Sequence, residues 1–548
     1  MNQLAPLLAL LPIVVVGILM VGMMWPSSKA MPVGLAVAAA IAFTIWEVPA
    51  QHLLAASLAG VVNALDILLI IFGAILILQL MKHSGGMDAI SRSMAFISKD
   101  RRVQVLIIAW LFGSFLEGAA GFGTPAAVAA PLLMGMGFPP FMAAVLTLVA
   151  DSASVSFGAV GVPIHGGFEA LRDVVSLPES LSFGRFLQDI GLQVGLLHFA
   201  LGTFIPLIMV GLMTRMAEGS LRRAREVWKL ALFAGLVFTV PQALIAFFIG
   251  PELPALLGAL IGLPIFLFAV SRGFLTPKTE WDFPDKKDWP EHWQGKFDAG
   301  TGMPDDQPTM RGWLAWLPYA VVGGLLLLTR IEFFHLSTLL QQWNIGWTDI
   351  LGTDISATIT PLYNPGVVPF LLIAMLIPLM HGMNLQGVAA SCRSTLKMIG
   401  PATAALISAL AMVYIMINSG VAEGKESMLI VVAGAASDLA GQSWYLLAPL
   451  VGTLGTFISG SNTVSNIMFG VLQQDAAIQS GLHVVPVLAL QAVGGAAGNM
   501  ICVHNVVAVL ATVGLLGKEG LVIRINLGIA LGYAILAGSI VWAIAVFV

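Results

Sequence analysis

One acidic residue, Glu117, lies in the apolar segment FLEGAAGFGTPAAVAAPLL, residues 115–133, and is followed at once by glycines and Pro125. A charge in hydrocarbon costs at least a few kcal/mol, so such a residue usually has a function. Non-helical backbone is tolerated at that depth only where protein or a water-filled cavity supplies hydrogen-bond partners. Burial disfavours the charged form of a carboxyl group and thereby favours proton uptake. We therefore predict that Glu117 has a function and can take up a proton.

A second acidic residue, Asp151, lies in LTLVADSASVSFG, residues 146–158. It could bind a cation, carry a proton or cap a broken helix. Asp151 is thus the rival proton carrier. A structural role for Glu117, as a neutral side chain bonded to the opposite half of the protein, also stays open.

Two segments combine glycine with small polar residues in a way that suits a small organic anion. Glycine lets backbone amides approach a ligand, and helix N-termini offer unpaired N–H groups. The alternative is that these residues merely let membrane helices pack closely. The candidate substrate-binding residues are Gly118, Gly121, Gly123 and Thr124 in the first segment and Ser459, Gly460, Ser461, Asn462, Thr463 and Asn466 in the second. A third set, Asn499, His504 and Asn505, could line the same site, although a hydrogen-bonded core histidine is an alternative.

These residues lie in a chain whose composition is that of a polytopic membrane protein. It is 58% hydrophobic and 10% charged, with a mean hydropathy of +0.93, whereas soluble domains are about 25% charged. Nothing indicates a nucleic-acid partner, and Cys392 and Cys502 suggest packing rather than a disulfide or metal site, so no cofactor is expected. Apolar runs predict spans near residues 5–25, 31–50, 64–82, 187–213, 230–250, 254–271, 312–330, 366–382, 398–418 and 525–547.

The distribution of basic residues predicts the orientation. Lys and Arg cluster in 82–102, 215–229 and 272–311, and are absent from 251–253 and 331–365. The positive-inside rule places the three basic regions in the cytoplasm and both termini outside. The first apolar segment is expected to be retained as an anchor, and loop 272–311 is the only sizeable soluble piece.

The remaining regions, 103–160 and 427–513, follow one plan twice. Residues 103–117 and 124–137, and again 444–459 and 462–473, are too short to cross a bilayer and are joined by glycine-rich tips. Each pair precedes a small-residue segment that indicates an interrupted helix. We therefore predict an all-α inverted-repeat transporter with two re-entrant hairpins entered from opposite sides. The predicted units are N-terminal scaffold helices 1–63, a first repeat 64–215, scaffold helices and the cytoplasmic loop 216–365, and a second repeat 366–548.

On these motifs the chain resembles the lactate permease family of bacterial organic-acid transporters. The resemblance is most specific at FLEGAAGFGTPAA (115–127), FGAVGVPI (157–164), GPELP (250–254), TFISGSNTVSN (456–466) and NMICVHNVVAVLATVGLLGKEG (499–520). It implies proton-coupled uptake of lactate and related 2-hydroxy acids such as glycolate across the bacterial inner membrane. On this basis we predict that Glu117 carries the coupling proton, with Asp151 as the rival carrier. The paired hairpins also resemble the wider ion-transporter superfamily, which implies elevator-like movement. The chain has Asn462, Asn499 and Asp151 where better-known members have Asp, Lys and Asn.

Other functions remain as alternatives of different strength. A sodium-coupled carboxylate or dicarboxylate symporter would share the hairpins and the Ser-Asn-Thr tip. An enzyme is not expected, because the sequence has no G-x-S-x-G elbow and no H-E-x-x-H pair. The expected partners are a small organic anion, H+ and membrane lipid, and a homodimer stays open.

Overall fold

The fold is described from a computed structural model. It describes residues 4–23, 25–95, 97–121, 123–175, 177–178, 181–295, 310–330, 336–364, 367–422 and 425–547. Within these residues the chain is mostly α-helical. The helices are α1 (Ala5–Gly17), α2 (Ser27–Thr44), α3 (Ala50–His83), α4 (Gly86–Ala95), α5 (Arg101–Val105), α6 (Gly113–Ala120), α7 (Thr124–Gly135), α8 (Pro140–Ala150), α9 (Gly158–His165), α10 (Phe183–Gly202), α11 (Ile205–Glu218), α12 (Arg222–Arg225), α13 (Trp228–Phe248), α14 (Pro254–Ser271), α15 (Gly312–Arg330), α16 (Leu336–Gln341), α17 (Val368–Met380), α18 (Leu385–Ile417), α19 (Met428–Ala440), α20 (Trp444–Ser459), α21 (Asn462–Gln479), α22 (Val484–Asn499), α23 (Val503–Thr512) and α24 (Glu519–Phe547).

The described helices confirm a multi-pass membrane protein. Nine helical segments are long and apolar enough to cross a bilayer, and a tenth results if the bent pair Pro140–Ala150 and Val155–Asp173 is one span. That pair is bent by 62°. Two helices are longer than their apolar windows: Ala50–His83 extends the predicted 64–82, and Leu385–Ile417 extends the predicted 398–418. Hydropathy located the apolar part of each helix and missed the more polar turns before it.

The predicted interruptions are confirmed at both glycine-rich tips, but the piece before the first tip is longer than the predicted 103–117. Arg101–Ala120 has 20 residues and is apolar enough to cross a bilayer, so the prediction that it is too short is wrong. A π-helical segment, Leu106–Phe112, joins α5 to α6, which ends at Ala120, and α7 starts at Thr124. In the second half α20 ends at Ser459 and α21 starts at Asn462. We call these the first break and the second break. The small-residue segment after each break is also interrupted, between α8 and α9 and between α22 and α23.

Left-handed glycines make both tips possible. In the first break, Gly121 and Gly123 have φ of 60° and 70°. In the second, Gly460 has φ of 79°. A side chain at these backbone angles is disfavoured, so glycine is the natural residue for each turn. Pro125 then occupies the first turn of α7, where its missing N–H has no helical partner to lose.

Two short strands correct the expectation of an all-α chain. Ile345–Trp347 (β1) pairs antiparallel with Ala357–Ile359 (β2). They lie in the region 331–365, predicted as an outside loop, and β2 packs against α3. A three-residue strand is too short to give a clear alternating pattern, which explains why the sequence did not predict it.

The first part of loop 272–311 is also more ordered than a free soluble loop. The backbone N–H of Trp281 donates to Asp100, and Arg102 donates to the backbone oxygen of Thr279. Trp281, Trp289 and Trp293 are buried. The loop therefore docks at the start of α5, while its residues 296–309 lie outside the described part of the chain.

Candidate functional site

A cavity lies where the two breaks meet the first interrupted helix. Counting the space open to solvent, it measures about 320 Å³. It is lined by Glu117, Gly121, Gly123, Val155, Gly158, Ala159, Val162, Pro163, Gly460, Ser461, Asn462, Thr463 and Asn499. Both halves of the chain thus contribute to one candidate site.

The first break brings a buried pair of carboxyl groups to this cavity. Glu117 and Asp151 are each 4% exposed and lie near enough for their charges to interact. Among the described residues, Glu117 Oε2 and Asp151 Oδ1 have no hydrogen-bond partner. Two ionised carboxylates would repel each other at such a buried site, so the pair favours holding a proton. The sequence offered these two residues as rivals, and the structure brings them together.

A chain of amides connects the carboxyl pair to the second half. Asn499 Nδ2 donates to Asp151 Oδ2 at 2.9 Å, and Asn505 Nδ2 donates to Asn499 Oδ1 at 2.6 Å. A Cβ at Gly123 would lie 2.4 Å from Asn505 Oδ1, so the chain ends against the first tip. Asn499 lies at the C-terminal end of α22 and lines the cavity. A change in the protonation of the carboxyl pair can therefore be passed to the cavity wall through the Asn499 side chain.

At the second break, the polar side chains hold the backbone in shape. Ser459 Oγ donates to the backbone oxygen of Ser461 at 3.0 Å, and Ser461 Oγ caps α21 by accepting from the N–H of Val464 at 3.4 Å. Asn462 Nδ2 donates to the backbone oxygen of Ala492 at 3.1 Å. The cap satisfies the N–H of Val464, whereas the opening turn of a helix has no internal acceptors for its other first N–H groups. Asn462 and Thr463, the first two residues of α21, line the cavity.

The remaining wall is an unusual turn in the interrupted helix. Ala159, Val160 and Gly161 all have left-handed backbone angles, with φ of 42°, 58° and 76°. A β-branched residue in this conformation is a genuine outlier. Gly161 packs directly on the backbone of Pro251 and Glu252, where a Cβ would lie 2.4 Å from the Pro251 oxygen. The motif FGAVGVPI thus builds the wall through its backbone shape.

The structure places the predicted residues in two groups. Those that line the cavity are Glu117, Gly121, Gly123, Gly460, Ser461, Asn462, Thr463 and Asn499. Those that lie behind it or beside it are Gly118, Asp151, Ser459, Asn466, His504 and Asn505. Gly118 packs on the backbone of Leu256, and Asn466 Nδ2 donates to the backbone oxygen of Pro163 at 2.7 Å. The side chain of Thr124 lies outside the described part of the structure.

Sequence reasoning missed five lining residues, all from the interrupted helix. They are Val155, Gly158, Ala159, Val162 and Pro163. Gly158 is needed because a Cβ there would lie 2.1 Å from Glu117 Oε1. A usable signal was present: two glycines and a proline interrupt an apolar run directly after Asp151.

A family model described as L-lactate permease matches residues 5–548. The chain belongs to the L-lactate permease family. The L-lactate permease of Bacillus subtilis strain 168 is 30% identical over 530 residues, which cover 90% of this chain and 87% of that protein. The glycolate permease GlcA of Escherichia coli K12 is 27% identical over 558 residues, covering 98% and 95%.

Among solved structures, the YdaH transporter of Alcanivorax borkumensis aligns over 89% of this chain and 86% of its own, at 14% identity and a TM-score of 0.45. That likeness is too weak to carry an argument about this chain. The family match spans nearly the whole length, so it includes both breaks, both interrupted helices and every residue that lines the cavity. The cavity therefore lies within the part of the chain that defines a member of the lactate permease family.

Proposed function

We propose that this protein is a secondary active transporter that takes up L-lactate and related small 2-hydroxy monocarboxylates, including glycolate, together with protons. The observation that carries the proposal is the buried Glu117–Asp151 pair beside a cavity framed by two helix N-termini. The names of the relatives, which are L-lactate and glycolate permeases, supply the substrate class.

The substrate carboxylate binds at the second break. The N-terminus of α21 combines unpaired backbone N–H groups with the positive end of an 18-residue helix. Gly460 and Thr463 also line this part of the cavity. The α7 N-terminus, at the first break, adds a second positive helix end on the facing side. Two such ends can hold an anion without any buried cationic side chain.

The coupling proton is held by the carboxyl pair as a unit. Removing the last proton would leave two negative charges in contact at a buried site, which is strongly unfavourable. The protons therefore belong to the pair rather than to either residue alone. An anion in the cavity favours the protonated pair, and by linkage the protonated pair favours the anion. This reciprocity is what symport requires.

The transporter lies in the bacterial inner membrane with both termini outside, and its two breaks are re-entrant hairpins that enter from opposite sides. The basic clusters at 82–102, 215–229 and 272–311 support this orientation. The docking of Trp281 on Asp100 agrees with it, because both belong to regions assigned to the cytoplasm. Single-cysteine labelling should reach 331–365 in intact cells and 272–311 only after permeabilisation. Labelling of 272–311 in intact cells would overturn the orientation.

Transport proceeds by elevator-like movement of the breaks and interrupted helices against the scaffold. Hydrogen bonds between the two halves support a joint movement: Asn466 to Pro163, Asn499 to Asp151, and Ser156 to the backbone oxygen of Ala492. These bonds hold both breaks and both interrupted helices together, so the residues that line the cavity can move as one unit.

Uptake of labelled L-lactate into proteoliposomes tests the function. We expect accumulation when the lumen is alkaline, and no accumulation with a sodium gradient alone. The main alternative, sodium coupling, is favoured by two buried amide oxygens, Asn462 Oδ1 and Asn505 Oδ1, which have no hydrogen-bond partner in the described part of the chain. Sodium-driven accumulation without a pH gradient would establish that alternative.

A further inference from the structure

The cavity has a lining of mixed polarity. Its polar members include Glu117 and the tip of the second break, and its apolar members, which we call the apolar wall, are Val155, Ala159, Val162 and Pro163. A 2-hydroxy acid is equally two-sided, with a carboxylate and a hydroxyl at one end and a hydrocarbon substituent at the other. If the carboxylate binds at the N-terminus of α21, the substituent on C2 faces the apolar wall.

Ala159 is the member of that wall with the most constrained position. Its φ of 42° and ψ of 52° are left-handed, a conformation that glycine would adopt without steric cost. Strained residues of this kind persist only where the surrounding structure holds them, and they cluster at ligand sites. Because glycine would fit this backbone conformation better, the methyl group at position 159 needs a reason of its own.

The contacts of the Ala159 methyl group supply a reason for its presence. Ala159 is 2% exposed, and a Cβ built on Gly121 would lie 3.0 Å from Ala159 Cβ. The methyl group thus packs against Gly121 at the first tip, and both residues line the cavity. Removing it would leave the space of one methyl group at the cavity lining and would relax the backbone at the same time.

Resting on the proposed function, we infer that the Ala159 methyl group sets the largest C2 substituent that the transporter accepts. Hydrogen in glycolate and methyl in lactate fit against the wall, whereas the ethyl group of 2-hydroxybutyrate meets Ala159. Selectivity within the 2-hydroxy acids is therefore steric and is located on the first interrupted helix, away from the groups that bind the carboxylate.

Val160 offers a matched control. It has the same left-handed conformation, with φ of 58°, and is 1% exposed, but it does not line the cavity. Val160→Gly relaxes the same turn without enlarging the site. Val162→Ala is a second probe, because Val162 lines the cavity and follows the left-handed run.

The experiment measures initial uptake of labelled glycolate, L-lactate and 2-hydroxybutyrate into proteoliposomes. In Ala159→Gly we expect the ratio of 2-hydroxybutyrate to lactate uptake to rise about tenfold or more, the usual discrimination for one methylene in an apolar pocket. Glycolate uptake should change little. Val162→Ala should raise the same ratio, and Val160→Gly should leave it at the wild-type value.

An unchanged ratio in Ala159→Gly with lactate uptake retained would overturn the inference, and so would an equal rise in Val160→Gly. If Ala159→Gly cannot be purified folded, an unchanged ratio in Val162→Ala overturns it instead. Failure of the wild type to take up any of the three acids would contradict the proposed function itself, which separates the two results.

Discussion

The two breaks share one architecture and use opposite chemistry. In the first, a carboxyl group, Glu117, lies one turn before the tip and contacts a second one, Asp151. In the second break, the equivalent region is neutral, and Ser459 and Asn462 donate hydrogen bonds to backbone oxygens. A carboxyl pair responds to protons, whereas a tip held by neutral bonds keeps its shape. This difference supports our proposal that one break handles the proton and the other binds the anion.

The largest expected effect follows from removing the proton at the first break. In Glu117→Gln, accumulation of lactate driven by a pH gradient should fall to background, while lactate counterflow exchange continues, because the amide cannot release a proton. Asp475→Asn is the control, since Asp475 lies on α21 but outside the cavity. Retained accumulation in Glu117→Gln, together with its loss in Asp151→Asn, would assign the proton to Asp151.

Two glycines allow each break to be disturbed without replacing its polar residues. A Cβ at Gly158 would lie 2.1 Å from Glu117 Oε1, and one at Gly495 would lie 1.9 Å from Asn462 Oδ1. Overpacking of this kind costs about 1–3 kcal/mol. Gly158→Ala should therefore change the pH dependence of uptake, and Gly495→Ala should lower lactate affinity roughly 10-fold to 100-fold.

Measurements of lactate affinity across a pH series distinguish these two variants. Gly528→Ala provides the control, because a Cβ there meets nothing within 4 Å. If both glycine variants shift lactate affinity and pH dependence alike, the proposed division of roles, with the proton at the first break and the anion at the second, does not hold.

A smaller effect is expected from Asn462→Ala. The change removes the bond to the Ala492 backbone oxygen, and a buried partner left unsatisfied costs about 1–3 kcal/mol. We expect lactate to bind roughly tenfold more weakly, measured by calorimetry on the purified protein, with the pH dependence unchanged. Wild-type affinity in this variant would mean that the second tip does not depend on that bond.

Ser461→Ala should have the smallest effect. Ser461 caps α21, and losing a helix cap costs about 1 kcal/mol. Lactate affinity should fall by roughly fivefold. Ser427→Ala is a matched control, because Ser427 caps α19 through the same bond to the third residue of the helix and lies outside the cavity. An equal loss of affinity in both variants would point to general destabilisation.

Local sequence signals predicted the breaks but not the contacts between them. Glycine and proline mark interruptions wherever they occur in an apolar run, so both tips were located from the sequence to within a few residues. The bond between Asn499 and Asp151 joins residues 348 positions apart, and no local pattern encodes such a pairing.

The role of individual side chains was harder to predict. Asn462 is predicted to contact substrate, and it lines the cavity, but the sequence did not predict the bond from its amide N–H to the Ala492 backbone oxygen. The sequence does not predict the left-handed backbone conformation of Ala159 and Val160, because neither residue favours it. Tertiary packing decides both cases.

Proton uptake by the purified protein tests the central claim most directly. Lactate is added to wild-type protein in weakly buffered detergent solution near neutral pH, and the change in pH is recorded. We predict uptake of about one proton per lactate bound, because anion binding and protonation of the carboxyl pair are linked. Glu117→Gln should bind lactate without that uptake. Lactate binding by the wild type with no proton uptake at any pH between about 5 and 8 would contradict the account.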